Sequence, residues 1–241
     1  SYRFHMDSLM LRANPSASAP YAIDIFNPVY GQAQPTPGRN TDTREKQRNT
    51  ALYVQDTLKL GEQWRVMAGL RADNYDQSLQ NRITATTTQQ SPSAVSPRLG
   101  VSWLPSAGWT VYANAGKSFR PNTGSDAAGN AFTPEKARAL ELGAKWESAD
   151  QRLGATAALF DITKRNVLTS DPVNSGYSVA AGEVRSRGLE LDVAGRLTAN
   201  WRLNASLVFN DVEISRDNTL EVGGRLLNVP KVNGSVLAVY E

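Results

Sequence analysis

The chain contains no cysteine and only one histidine, and both shortages narrow its chemistry. Without cysteine there is no disulfide framework, no thiolate metal site and no thiol nucleophile. His5 stands near the amino terminus with no evident triad partners, so nothing in the sequence singles out catalysis. No segment approaches the roughly 18 consecutive apolar residues of a membrane-spanning helix; runs such as Gly154–Phe160 and Ser235–Tyr240 are short. There is no basic block either. The 26 Lys and Arg are scattered among 23 Asp and Glu, which argues against a nucleic-acid partner. The opening Ser1-Tyr2-Arg3-Phe4 lacks the charged and apolar regions of a secretory signal. Gly182 and Gly223-Gly224 lack the strand–loop–helix setting of a phosphate cradle and read as turns or bulges.

What is present is alternation with a period of two. Trp201, Leu203, Ala205, Leu207 and Phe209 are separated by Arg202, Asn204, Ser206, Val208 and Asn210. Trp64, Val66, Ala68, Leu70 and Ala72 alternate with Arg65, Met67, Arg71 and Asp73, and Leu140, Leu142, Ala144 and Trp146 with Glu141, Gly143, Lys145 and Glu147. A strand sends successive side chains to opposite faces, so each segment has one apolar and one polar face. The pattern predicts about ten strands, over 2–12, 50–60, 64–80, 94–104, 109–119, 136–147, 152–166, 178–197, 201–214 and 231–241. Such strands dilute the mean hydropathy, here −0.41, without excluding a membrane. Asp56 falls in the apolar register, which calls for a bulge or a place near an interface.

Connections after the even-numbered strands are tight, as in Gly61-Glu62-Gln63, Pro105–Gly108, Ser148–Gln151 and Thr198–Asn200. Those after the odd-numbered strands are long and polar, at Ala13–Asn49, Gln80–Ser93, Arg120–Glu135, Asn166–Tyr177 and Ser215–Pro230. All five tryptophans, Trp64, Trp103, Trp109, Trp146 and Trp201, lie beside tight turns. Indole is apolar with one N–H donor and favours the headgroup level, so this placement reads as an aromatic girdle at one interface. A soluble antiparallel sandwich also alternates, but it predicts neither the one-sided loops nor the one-sided tryptophans. The fold class expected is all-β: an antiparallel up-and-down transmembrane β-barrel in an outer membrane, here a partial barrel.

Acidic residues of the polar face (Asp73, Glu141, Glu190, Asp192) sit near Arg65, Arg71, Lys145, Arg187 and Arg196. They read as an ion-paired lumen wall rather than a metal site. The long loops carry Tyr21, Phe26, Tyr30, Tyr75 and Arg120, aromatic rings and a guanidinium suited to gripping a bulky chelate, and these are the candidate ligand contacts.

Particular wording adds a resemblance. Tyr53-Val54-Gln55-Asp56, Ser118-Phe119-Arg120-Pro121, the spaced set Phe132, Pro134, Glu141, Gly143 and Lys145, and Gly182-Glu183-Val184-Arg185-Ser186-Arg187-Gly188-Leu189-Glu190 resemble strands of TonB-dependent siderophore receptors. Asp24-Ile25-Phe26-Asn27-Pro28-Val29-Tyr30-Gly31 resembles a loop of the ferrichrome, or hydroxamate, type. The resemblance implies a 22-stranded barrel with an amino-terminal plug, importing a ferric siderophore with energy from the TonB complex across the outer membrane of a Gram-negative bacterium. On that reading iron travels with the ligand and no cofactor is needed. The chain is not an enzyme, and residues 1–241 are part of the barrel domain without its plug. A passive porin and a barrel protease or lipase are the alternatives.

Overall fold

The computed structural model describes residues 1–12, 25–31, 36–226 and 228–240. Among these the regular structure is entirely β: β1 (Tyr2–Arg12), β2 (Gly38–Leu60), β3 (Trp64–Asn81), β4 (Thr86–Gln90), β5 (Ser93–Trp103), β6 (Trp109–Arg120), β7 (Glu135–Glu147), β8 (Leu153–Ser170), β9 (Ser178–Arg196), β10 (Trp201–Arg216) and β11 (Val232–Tyr240). They form one antiparallel sheet in sequence order, with β4 set aside on β3. That is the up-and-down arrangement the alternation predicts. The chain divides into two compact units, residues 1–49 with 75–91, and residues 50–74 with 92–241.

In the larger unit, cross-strand partners share a face, so the register sorts the side chains. Trp64 pairs with Trp103, Val66 with Val101, Ala68 with Leu99 and Leu70 with Pro97. Trp109 pairs with Trp146, Val111 with Ala144, Ala113 with Leu142 and Ala115 with Leu140. Trp201 pairs with Tyr240, Ala205 with Val236 and Phe209 with Val232. These residues make one continuous apolar face, and it is open: Leu52 is 80% exposed and Leu99, Leu140 and Leu159 are each 55% exposed. No large side chain among the described residues is completely buried. A water-soluble sheet would bury such a face against a second layer. Asp56 lies in it, four residues before the end of β2, and its carboxylate accepts the Thr57 amide at 2.8 Å.

The opposite face is polar and joined by packing over glycine. The Tyr112 ring lies across Gly143, where an added Cβ would come within 2.4 Å of Cζ. Phe160 covers Gly188 in the same way, its Cζ 2.8 Å from the position of a Cβ. Tight turns set the other constraint. Gly108 takes φ +77 and a Cβ there would meet the Glu147 carbonyl oxygen at 2.4 Å, so only glycine fits.

The smaller unit departs from the sequence expectation. Residues 13–49 were expected as one loop, yet β2 begins at Gly38 and pairs with β1 from Arg12↔Gly38 to Tyr2↔Asn49. The segment Gly38–Asn49 is polar on both faces, so hydropathy carries no alternation there. Charge holds it instead. Asp7 takes Arg44 Nε at 2.9 Å and also pairs with Arg82, while buried Asp42 takes Arg39 at 2.9 Å and Arg82 at 3.1 Å. The Arg44 hydrogen bond is the main reason the Asp7 carboxyl is held below its ordinary range. The expected loop 80–93 likewise contains β4, a Thr/Gln strand with no apolar residue.

Replacing Gly143 with valine should push Tyr112 off the sheet and cost about 1–3 kcal/mol, the usual range for overpacking. The expected readout is a lower thermal midpoint of the full-length protein in detergent. Gly154→Ala, whose Cβ would meet only ordinary contacts at 3.6 Å, should leave the midpoint unchanged.

Candidate functional site

At the end of the larger unit opposite the tight turns, the connections 121–134 and 217–231 are each tied to β8, and a third connection, 171–177, closes on itself. Asn122 Nδ2 donates to the carbonyls of Thr133 and Asn166, each at 2.8 Å, and Asn166 Nδ2 donates to the Pro134 carbonyl at 2.8 Å. Asn166 can do this because β8 bulges beside it, between Arg165 and Val167, and its φ is +59. Thr169 Oγ1 donates to Asp217 Oδ1 at 2.5 Å, linking the end of β8 to the connection after β10. Glu183 accepts Arg165 Nε at 2.6 Å and the Ser215 hydroxyl at 3.0 Å, joining β8, β9 and β10.

Each loop also folds upon itself around an Asp. Asp126 accepts the amides of Ala128 and Asn130 at 2.9 and 2.8 Å, which lowers its pKa. Asp171 accepts the Asn174 side-chain amide at 2.9 Å and the backbone amides of Val173 and Asn174 at 2.8 and 3.0 Å, and these lower its pKa as well. Burial raises the Asp217 carboxyl, but the Leu220 amide, the Thr169 hydroxyl and the Thr219 amide and hydroxyl bring it down to about 2. Phe132 is buried, its ring 3.1 Å from where a Cβ on Gly124 would lie. The result is a preformed polar loop platform.

The polar face below carries Tyr112 with Lys145 Nζ 5.3 Å from its ring centroid and Glu141 on its hydroxyl. Arg71 grips buried Asp73 with two hydrogen bonds of 2.8 Å. Arg187 does not belong to this face. It pairs with Asp211 and so lies on the same side as Leu189 and Phe209, a correction to the sequence reading. Among the described residues no group of three or more His, Asp or Glu is placed to hold a metal ion.

Of the five candidate contacts, three lie in the smaller unit and one in the larger. Phe26 and Tyr30 are 92% and 80% exposed, in the smaller unit. Tyr75 belongs to that unit too, but it sits inside β3 and is 4% exposed. Arg120 closes β6 in the larger unit, exposed, opposite Glu135. Tyr21 lies outside the described residues. The tryptophans do converge on one end: Trp64 and Trp103 stack at 6.1 Å, Trp109 and Trp146 are register partners, and Trp201 meets Tyr240 at 5.2 Å. Asn122, Asn166, Thr169 and Asp217, which tie the connections 121–134 and 217–231 to β8, escape sequence reasoning. The one signal for them is Asn or Asp at strand ends, and it is common to every turn.

An up-and-down sheet with an open apolar face, tight turns at one end and tied long loops at the other defines the wall of an outer-membrane-type barrel. The chain belongs to the family described as TonB dependent receptor-like, beta-barrel, whose model matches residues 6–240. It is 44% identical to the metal-pseudopaline receptor CntO of Pseudomonas aeruginosa, over 99% of this chain and 34% of that protein. It is 32% identical to the ferrichrome outer membrane transporter/phage receptor of Escherichia coli K12, over 90% of this chain and 30% of that protein. The chain thus spans about a third of these relatives. Its fold matches the ferric-catecholate import receptor Fiu of Escherichia coli K12 at a TM-score of 0.78 and 22% identity, over 99% of this chain and 38% of that one. Members of the family are transport receptors, not enzymes.

The motifs behind the resemblance now have physical roles. Phe132 anchors a loop, Pro134 accepts Asn166, Gly143 seats Tyr112 between Glu141 and Lys145, and Gly182 lies against the Val167 carbonyl at the β8 bulge.

The depressed Asp217 pKa makes a prediction with a definite sign. Its tie is complete above 3.8, the ordinary carboxyl value, and is lost as pH falls through about 2. In the full-length protein, Thr219 and Leu220 amides should exchange slowly from pH 7 down to pH 4. Asp217→Ala should speed that exchange about fivefold, the effect of losing about 1 kcal/mol of hydrogen bonding.

Proposed function

We propose that the whole protein is an outer-membrane receptor that imports a metal chelate, energised by TonB, and that this chain forms part of its barrel wall. The observation carrying the membrane reading is the open apolar face. From Trp201 to Phe209 it runs eight residues, about 27 Å of strand, or roughly 21 Å at the usual barrel tilt, close to the height of a bilayer's apolar band. The tryptophan end then lies at the turn-side interface, and the tied loops face the exterior. The polar face lines the interior, where Arg71–Asp73 and Tyr112–Glu141–Lys145 form a wall able to face a plug.

For the cargo, the 44% relative named for metal-pseudopaline supports a metal–pseudopaline type of complex over a ferric hydroxamate, since the ferrichrome relative stands at 32%. Exposed Phe26, Tyr30 and Arg120 are the side chains offered to it. Tyr75, being buried, serves the fold of its unit instead.

Uptake of labelled metal by cells expressing the full-length protein tests this. Metal supplied as its pseudopaline complex should accumulate, and accumulation should vanish in cells lacking TonB. Phe26→Ala with Tyr30→Ala should lower uptake about tenfold, as for removal of exposed aromatic anchors. Uptake that persists without TonB would instead identify a passive channel, and preference for ferrichrome would restore the hydroxamate cargo.

A further inference from the structure

Arg120 stands on the polar side of the sheet where β6 meets the loop platform, exposed and without an ion pair among the described residues. Its register partner is Glu135, the first residue of β7. Residues directly opposite on an antiparallel pair have Cβ atoms about 5 Å apart, so an arginine and a glutamate there would ordinarily join. Here they do not join. The Glu135 carboxylate turns the other way, to Lys164 Nζ on β8 at 3.2 Å. Lys164 is the partner of Ala137, one row along on the same face, and reaches Glu135 diagonally.

The backbone beneath this pair is fixed. Asn166 holds the Pro134 carbonyl and Asn122 the Thr133 carbonyl, each at 2.8 Å, so Glu135 enters the sheet from a clamped loop end. Its side chain is only 17% exposed. A carboxylate so far withdrawn from water needs a cation or hydrogen-bond donors, and Lys164 supplies the cation. The other carboxylates of the platform are occupied as well. Asp126, Asp171 and Asp217 accept amides of their own loops, and Glu183 accepts Arg165 and Ser215. The Arg120 guanidinium thus keeps its donors for a ligand.

We propose that Arg120 selects a metal chelate that presents an outward carboxylate, and that Lys164 is a positioning residue that keeps Glu135 from closing on Arg120. This rests on the receptor reading above, and adds to it the chemical class of the cargo and a residue that never touches the cargo. A planar guanidinium meets a carboxylate with two parallel hydrogen bonds, a match that a point-like ammonium does not reproduce.

Calorimetric titration of the full-length receptor in detergent, with the zinc–pseudopaline complex as the probe, puts this to the test. R120Q should weaken binding about tenfold or more, the effect of losing a charge-assisted hydrogen bond. K164Q should weaken it by a similar factor, because Glu135 then swings to Arg120. K164R should bind as wild type does, and E135Q/K164Q should recover wild-type affinity, a rescue that a merely structural Lys164 would not show. Ferrichrome, whose metal ligands are hydroxamates, should bind no worse to R120Q than to wild type. The proposal is overturned if R120Q binds zinc–pseudopaline as tightly as wild type, if E135Q/K164Q is as weak as K164Q, or if R120Q loses ferrichrome equally. Phenylglyoxal modification of Arg120, followed by peptide mass spectrometry, reads the same arrangement without cargo. It should be fast in wild type and in E135Q/K164Q and about tenfold slower in K164Q, as for a guanidinium engaged by a carboxylate. Equal rates in wild type and K164Q would overturn the positioning role. A wild type that shows the expected rates yet does not bind zinc–pseudopaline supports that role and refutes the cargo assignment alone.

Discussion

The antiparallel ladder, held in one register across the larger unit, is the constraint on which the rest depends. Side chains alternate with a period of two, so a slip of one residue on any strand would carry its apolar residues to the polar face. From β5 to β7, no register shift interrupts the pairing. The shifts that do occur lie at the loop ends of β8 and β10, between Arg165 and Leu168 and between Ile214 and Arg216. The apolar face is therefore unbroken where it must be, and irregularity is confined to where the chain leaves the sheet. There it is useful: the bulge at Asn166 lets its backbone and side chain hold both ends of the connection 121–134.

Because the apolar face is open, the unit lacks the buried core that fixes most folds. Its stability has to come from the backbone ladder, from rings laid over glycine, and from a lipid solvent that a water-soluble protein would not need. Glycine at 143 and 188 is thus neither a turn nor a hinge. It makes room for Tyr112 and Phe160 to brace neighbouring strands on the polar side.

Much of this architecture is readable in the sequence wherever apolar and polar residues alternate, as from Trp201 to Asn210. It fails where both faces are polar. In Gly38–Asn49 carboxylates and guanidinia meet across the ladder, and in Thr86–Gln90 Thr and Gln meet the uncharged side chains of β3, conditions that require knowing the partner strand. Arg187 was misassigned for a related reason. Its parity matches Leu189, but a charge beside leucines was read by chemistry and not by parity. Tyr75 has the composition of a loop contact and the position of a strand residue, and its burial depends on neighbours distant in sequence. The loop ties formed by Asn122, Asn166 and Thr169 are equally non-local.

Parity also gives the apolar side a definite height along the strands. Trp109 and Lys117 on β6, and their partners Trp146 and Arg138 on β7, are eight residues apart in each case, with the ladder unbroken between them. Two strands running in opposite directions therefore change from aromatic to cationic at the same two levels. Neighbouring strands keep the upper level: Thr163 on β8 and Arg185 on β9 are its next members, and Arg187 with Asp211 lies one step below. Loops vary freely in length without disturbing such levels, whereas any insertion within a strand would break them. Charge on the lipid side of a barrel is unfavourable at mid-membrane and tolerable at its rim. On β6 to β10 its gathering at the loop end of the apolar face is what an interface would impose, and it is independent of the tryptophans that mark the other one.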